Sequence, residues 1–247
     1  MDIIQRLAGT PLGSAAYQIA HTGLDAAELV PRPDEPPPER PGASRFGGLP
    51  ELPAGTRWPR GGGRPLTLLL QLDLAHLEGI AGMHLLPSRG TLWFFYDIVD
   101  QPWGFRSSER SRWRVLHAPA GTPLRAAPHP KGLTPELVLP AVAVSIQQAV
   151  TFPSPLSDAA AYVGDDDEDL YRELVLGGDR IRHLLLGHPD PIQRDPVGRG
   201  SQSLLQLDSD PLLGTMWGDS GKLHWTIPCG ALAHRRFDAA RLELQCC

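Results

Sequence analysis

The residues whose types and spacing suggest chemistry fall in two places. Gly218-Asp219-Ser220-Gly221 has the order of the nucleophile segment of trypsin-like serine proteases, in which an imidazole and a buried carboxylate activate the serine beside an oxyanion hole. Its surroundings depart from that pattern: Lys222 replaces the second glycine, and His21 sits in Ile19-Ala20-His21-Thr22 without the expected cysteine. Asp219-Ser220-Gly221 is also ordinary turn chemistry ahead of a strand. The second place is a pair of tripeptides, Gln71-Leu72-Asp73 and Gln206-Leu207-Asp208. In an extended chain each puts an amide and a carboxylate on one face, two residues apart. Such a pair can orient a ligand and take part in acid/base chemistry. It can equally satisfy the backbone of a loop crossing the sheet, with residues 46–58 as a candidate partner.

Other polar clusters have simpler readings. Asp165, Asp166, Asp167, Glu168 and Asp169 lack the alternate ligand spacing, mid-loop glycine and distant glutamate of a calcium loop. They suit the first turn of a helix over residues 165–176, where the helix dipole favours negative charge and Gly177-Gly178 can end it. His117 and His129 have no nearby ligand set and read as surface or edge histidines. Met216 with Trp217, and Trp58 with Phe46, form either an exposed aromatic patch for a peptide or core plugs beneath loops.

The elements that position these residues repeat. Residues 68–98 and 203–227 share one plan: a leucine run, Gln-Leu-Asp, a spacer, a turn ending in glycine, then a hydrophobic strand. Leu205 and Leu207 match Leu70 and Leu72, while Gly221, Leu223 and Trp225 match Gly90, Leu92 and Phe94. Alternation places Leu68, Leu70, Leu72 and Leu74 on one face of the first strand. In the next, Leu92, Phe94 and Tyr96 oppose Trp93 and Phe95, as in a central strand buried on both sides. Where the first copy has Trp93 and Phe95, the second has His224 and Thr226, so a functional cleft is expected on that wetter face. Further strands are expected over residues 112–118, 136–139 and 142–146. At the amino terminus, Ile3, Ile4 and Leu7, then residues 24–30, suggest short amphipathic helices. The run 31–41, PRPDEPPPERP, reads as an extended connector.

The expected fold class is α+β and β-rich, with internally duplicated antiparallel β units related by a pseudo-two-fold and a few peripheral helices. Residues 1–43 are read as a helical arm and linker. Residues 44–247 are read as one domain of two units, about 44–150 and 180–247, with a helix-bearing connector between. The net charge of −5, with basic residues scattered rather than striped, disfavours nucleic-acid binding. No apolar run is long enough to cross a bilayer and the first residues lack a signal-peptide layout, so the cytoplasm is the expected location. The three cysteines, Cys229, Cys246 and Cys247, form no Cys-x-x-Cys pair, and neither a metal nor a cofactor is expected.

Several motifs taken together are similar to the YwqG-like family, a mainly bacterial domain of unknown function. They are Gly47-Gly48-Leu49-Pro50 with Trp58-Pro59, Leu70-Gln71-Leu72-Asp73, Leu186-Gly187-His188-Pro189-Asp190 with Ile192-Gln193, Leu205-Gln206-Leu207-Asp208-Ser209-Asp210, and Met216-Trp217-Gly218-Asp219-Ser220-Gly221. The resemblance runs from about Ser44 to the carboxyl terminus. It implies a duplicated β-rich fold and kinship with eukaryotic programmed-cell-death-two and ribosome-maturation proteins, proposed to act as dedicated chaperones. Those relatives often carry zinc-binding cysteines that this chain lacks. The resulting expectation is a monomeric or weakly dimeric protein-interaction protein, chaperone-like or immunity-type, that binds a protein or peptide segment near the interface of its two units. The binding candidates are Trp58, Gln71, Asp73, His188, Gln193, Gln206, Asp208, Met216, Trp217, Asp219 and His224, with no catalytic residue assigned. The alternative is a hydrolase or small-ligand enzyme using Asp208, Asp219, Ser220, His188 or His224, which requires those groups to converge in one pocket.

Overall fold

The computed structural model describes residues 2–246. Two short helices, α1 (Ile3–Leu7) and α2 (Ala16–His21), lead into strand β1 (Leu24–Arg32). Then follow β2 (Arg45–Phe46), β3 (Thr67–Asp73), β4 (Gly90–Tyr96), β5 (Trp113–Pro119) and β6 (Val142–Thr151). Helix α3 (Glu168–Tyr171) widens into a π turn over Arg172–Leu176, and Gly177 ends it in the left-handed conformation, φ 89°. After it come β7 (Leu184–Leu185), β8 (Ser201–Asp208), β9 (Lys222–Pro228), α4 (Cys229–Ala233) and β10 (Arg241–Gln245), and two small ladders, Glu51–Pro53 with Leu124–Ala126 and Arg60–Gly61 with Arg64–Pro65, lie outside the main sheet.

These strands form one antiparallel ten-stranded sheet in the order β10-β9-β8-β7-β1-β6-β2-β3-β4-β5. The sheet curls until its edges nearly meet. On one edge, Trp113 of β5 donates its Nε1–H to Ala240 O (3.1 Å), just ahead of β10. On the other, the Leu244 N–H of β10 donates to Trp103 O (3.1 Å), in the loop between β4 and β5. Each edge strand is thereby partly covered, which limits pairing with another chain. Inside the curl, Phe94 meets Trp225 edge-to-face at 5.8 Å, and Tyr96 meets Trp217 at 5.8 Å. Such pairs add about 0.5–1.5 kcal/mol each beyond the area they bury. A second apolar cluster lies on the outer side of β3 and β4, where Leu68, Trp93 and Phe95 are covered by Leu52, Trp58 and Leu66. A third joins α1 and α2 to α3 through Leu7, Ile19, Tyr171 and Val175.

The alternation expected over 68–74 is broken by one residue. The pairing of β3 with β4 shifts between Leu68 and Leu70, a β-bulge that turns Leu68 to the outer cluster while Leu69, Leu70 and Leu72 face the inner core. The β8–β9 pairing shifts in the same way between Ser203 and Leu205.

Three other expectations are corrected. Residues 24–30 are not helical: they belong to β1, which pairs along its whole length with β6, from Leu24 with Thr151 to Arg32 with Ala143. Their Ala, Glu and Leu content favours helix only weakly, and two neighbouring strands supply the backbone partners that decide the outcome. This strand lies mid-sheet, so the helical part of the amino-terminal segment ends at His21 rather than reaching residue 30. Residues 136–139 form a 3₁₀ turn, Pro135–Leu137, instead of a strand, whereas the strand expected over 142–146 runs on to Thr151. No helix among the described residues is long and apolar enough to cross a membrane.

Candidate functional site

Gln71 lies on the outer face of β3, fully buried, and all of its hydrogen-bonding capacity goes to the protein. Its Oε1 accepts from Trp93 Nε1–H (2.7 Å) and from the Glu51 N–H (3.1 Å). Its Nε2 donates to Ala43 O (2.9 Å) and Glu51 Oε2 (2.6 Å). Gln206 on β8 does the same for another loop: Oε1 accepts from the Asp190 N–H (2.8 Å), and Nε2 donates to Arg182 O (3.4 Å) and Asp208 Oδ1 (2.8 Å). Both glutamines therefore fasten crossing loops to the sheet, the first fastening a loop within residues 46–58.

The aspartates are engaged as well. Asp73 pairs with Arg40 (2.6 Å) and accepts from the Ala75 N–H (3.0 Å). Asp208 accepts from the Arg182 N–H (2.9 Å) and lies 3.8 Å from Lys222 Nζ, which itself pairs with Asp190 at 2.5 Å. Burial pushes the Asp208 carboxyl above its ordinary range against the opposing pull of Lys222. Its own backbone N–H donates to His183 Nδ1 (3.2 Å). That fixes the His183 proton on Nε2, where it donates to Asp210 (3.1 Å). Burial pushes Asp210 upward, but the bonds from His183 and the Leu212 N–H outweigh it and hold the carboxyl below its usual range.

His224 sits on β9 across from Gln206, the place that Trp93 holds across from Gln71. Trp93 reaches its glutamine, whereas both ring nitrogens of His224 are buried with no hydrogen-bond partner among the described residues. Complete burial, reinforced by Lys222, drives its pKa from 6.5 down to about 3. The outer face of the second half is thus more polar in residue type, but the expectation that it is wetter does not hold at His224, which is buried. The face is covered, because Gln245 accepts from the Ile192 and Gln193 N–H groups (2.9 and 3.0 Å) and donates to Arg194 O (2.8 Å). Gln193 enters this arrangement through its backbone.

The groups of the hydrolase alternative do not come together. Ser220 is exposed in a turn closed by the Gly221 N–H donating to Trp217 O (2.7 Å). Its Oγ lies 3.9 Å from Met216 Sδ and within reach of no histidine among the described residues. His188 is directed at the Thr22 carbonyl (2.8 Å), and burial lowers its pKa despite that bond. The segment 218–221 is the turn that launches β9. Trp58, with Nε1–H on Leu66 O (2.9 Å), and Trp217 are both core plugs, while Met216 and Asp219 remain exposed.

The open surface lies instead where the two halves of the sheet meet. A groove open to solvent is lined by Phe105, Arg194, Ser201, Thr226, Arg241 and Leu242. Phe105 stacks with Trp103 at 6.2 Å and 29°, and the Arg194 guanidinium lies 4.9 Å above the Phe105 ring while pairing with Glu243 (2.9 and 2.7 Å). Gly104 makes the approach possible: its φ is +90°, and a Cβ there would collide with Leu242 O. Of the six tryptophans, Trp103 is the exposed one, at 39%, and Phe105 is 57% exposed.

Residues 44–246 match the model of a family described as a domain of unknown function, DUF1963. The chain belongs to that family. No curated protein matches it in sequence. Within this DUF1963 domain, sequence reasoning found the two glutamine–aspartate hubs and Thr226 but missed Trp103 and Phe105. The available signal was two aromatics flanking one glycine, after a proline, in a long connection between strands. The DUF1963 match begins after β1, so α1, α2 and β1 lie outside it although β1 is central to the sheet.

Proposed function

We propose that this DUF1963 protein is a protein-interaction protein that holds an extended peptide segment in the groove at the seam of its sheet. The observation that carries the proposal is the exposed Trp103–Phe105 stack, fixed by Gly104 and Arg194 rather than left on a mobile tip. Aromatics and arginine are the side chains enriched at interface hot spots, and a stacked ring that is already immobile gives up little entropy on binding. On this reading the two halves are copies of one unit, as in the YwqG-like resemblance. In support, Gln71 and Gln206, the bulges at Leu68–Leu70 and Ser203–Leu205, and the left-handed pairs Gly47-Gly48 and Leu186-Gly187 occupy matching places. The cytoplasm, and a chaperone-like or immunity-type role, fit the same proposal.

Selection of displayed random peptides against the purified protein tests it. The expected result is enriched sequences whose binding weakens about thirtyfold in Phe105→Ala, the scale of one lost hot spot. Failure to enrich any sequence, or equal binding to Phe105→Ala and Trp103→Ala, overturns it.

A further inference from the structure

We infer that the cleft between the amino-terminal helices and the sheet is an oxyanion-binding site built from Arg6, Arg180 and Arg182. The cleft is open to solvent and is lined by residues of α1, by the chain from Gly177 to Arg182 and by Glu28 of β1. Arg182 is 6% exposed. Its Nη1 donates to Leu176 O (3.2 Å), while its Nε is buried with no partner among the described residues. Leaving a charged donor buried and unpaired is costly, and such groups call for a specific explanation.

The neighbouring charges do not supply one. Arg180 pairs through Nη2 with Glu28 (3.2 Å), and Arg6 donates Nη1 to Leu174 O (3.1 Å). Asp2, the other carboxylate on the wall, accepts from the Ile4 N–H at the start of α1 (3.4 Å). The three guanidiniums thus have one direct carboxylate partner among the described residues, Glu28, with Asp190 and Asp208 acting on Arg182 from a distance, and each has further N–H donors to offer. Arginines near a helix end commonly offset its dipole. That explains one N–H each of Arg6 and Arg182, on the carbonyls of Leu174 and Leu176, and Glu28 accounts for Arg180, but nothing among the described residues accounts for the orphaned Nε. Burial and then the adjacent Arg180 lower the pKa of Arg182 and outweigh the opposing pull of Glu28, Asp190 and Asp208, a net unfavourable field that a bound anion relieves. The forked guanidinium matches phosphate and carboxylate alike. Arg6 lies ahead of the family-matched segment, so α1 completes the site from outside it.

Thermal shift and calorimetric titration of the full chain with inorganic phosphate, phenyl phosphate and succinate, against chloride at matched ionic strength, test the inference. The variants are Arg6→Gln and Arg180→Gln, both at exposed positions, and the double variant. Saturable binding of at least one anion is expected, weakened about tenfold in each single variant and more in the double. Preference for the phosphates or for succinate identifies the source of the oxyanion. No shift beyond chloride for any of the three, or undiminished binding in the double variant, overturns the inference.

Discussion

His224 makes the stability of this protein depend on acid in a way that one substitution isolates. In the unfolded chain the imidazole takes up a proton near its ordinary 6.5, whereas in the fold it does so only at about 3. Across that window the unfolded state binds more protons, so stability rises with pH; it is fully present above 6.5 and lost as pH falls toward 3. Each pH unit inside the window costs about 1.4 kcal/mol, so the loss is about 3 kcal/mol by roughly pH 4.5. Burial lowers the pKa of His117 and His188 too, and these add slope in the same direction, but they are common to wild type and variant. His224→Leu removes only the His224 part. Because neither ring nitrogen has a partner among the described residues, the leucine strands no neighbouring group. At neutral pH the variant is expected to match or exceed wild type by about 1 kcal/mol. Urea unfolding followed by tryptophan fluorescence between about pH 8 and pH 4 gives both slopes. Parallel slopes for the two proteins, or a variant weaker by more than about 2 kcal/mol at neutral pH, refute the reasoning; the second result would mean that the nitrogens are hydrogen-bonded.

Further consequences follow from the same contacts. Gln71→Leu leaves Trp93 Nε1 and Glu51 N unpaired and is expected to lose about 2–4 kcal/mol in urea unfolding, whereas a purely space-filling role would cost under about 1. Gly104→Ala, with φ at +90° against Leu242 O, is expected to detach the 101–106 loop and speed amide exchange at Leu244 by about tenfold or more; unchanged exchange contradicts the seam contact. Trp103→Phe is expected to abolish most acrylamide-quenchable fluorescence, since the other five tryptophans are buried. Ser220→Ala is expected to change stability by less than about 0.5 kcal/mol, because the hydroxyl holds no structural hydrogen bond to nitrogen or oxygen.

The amino-acid sequence by itself determined the apolar strands β3, β4, β8 and β9, whose successive side chains turn to opposite faces apart from one bulge in each half, and the turn that opens β9. It also identified Gln71 and Gln206, because amides inside leucine-rich strands must find buried partners. These features rest on local periodicity and on the cost of unsatisfied polar groups, both readable along the chain. Only the tertiary structure decided the rest. β1 has a composition compatible with helix and became a strand because β6 and β7 flank it. Trp58 and Trp217 are core while Trp103 is surface, although nothing in their residue type distinguishes them; the difference lies in which loop covers each ring. Arg6 is distant in sequence from Arg180 and Arg182, and it lines the same cleft only because α1 docks against the end of α3. Contacts between distant segments depend on how faces are paired, and no local period encodes that pairing.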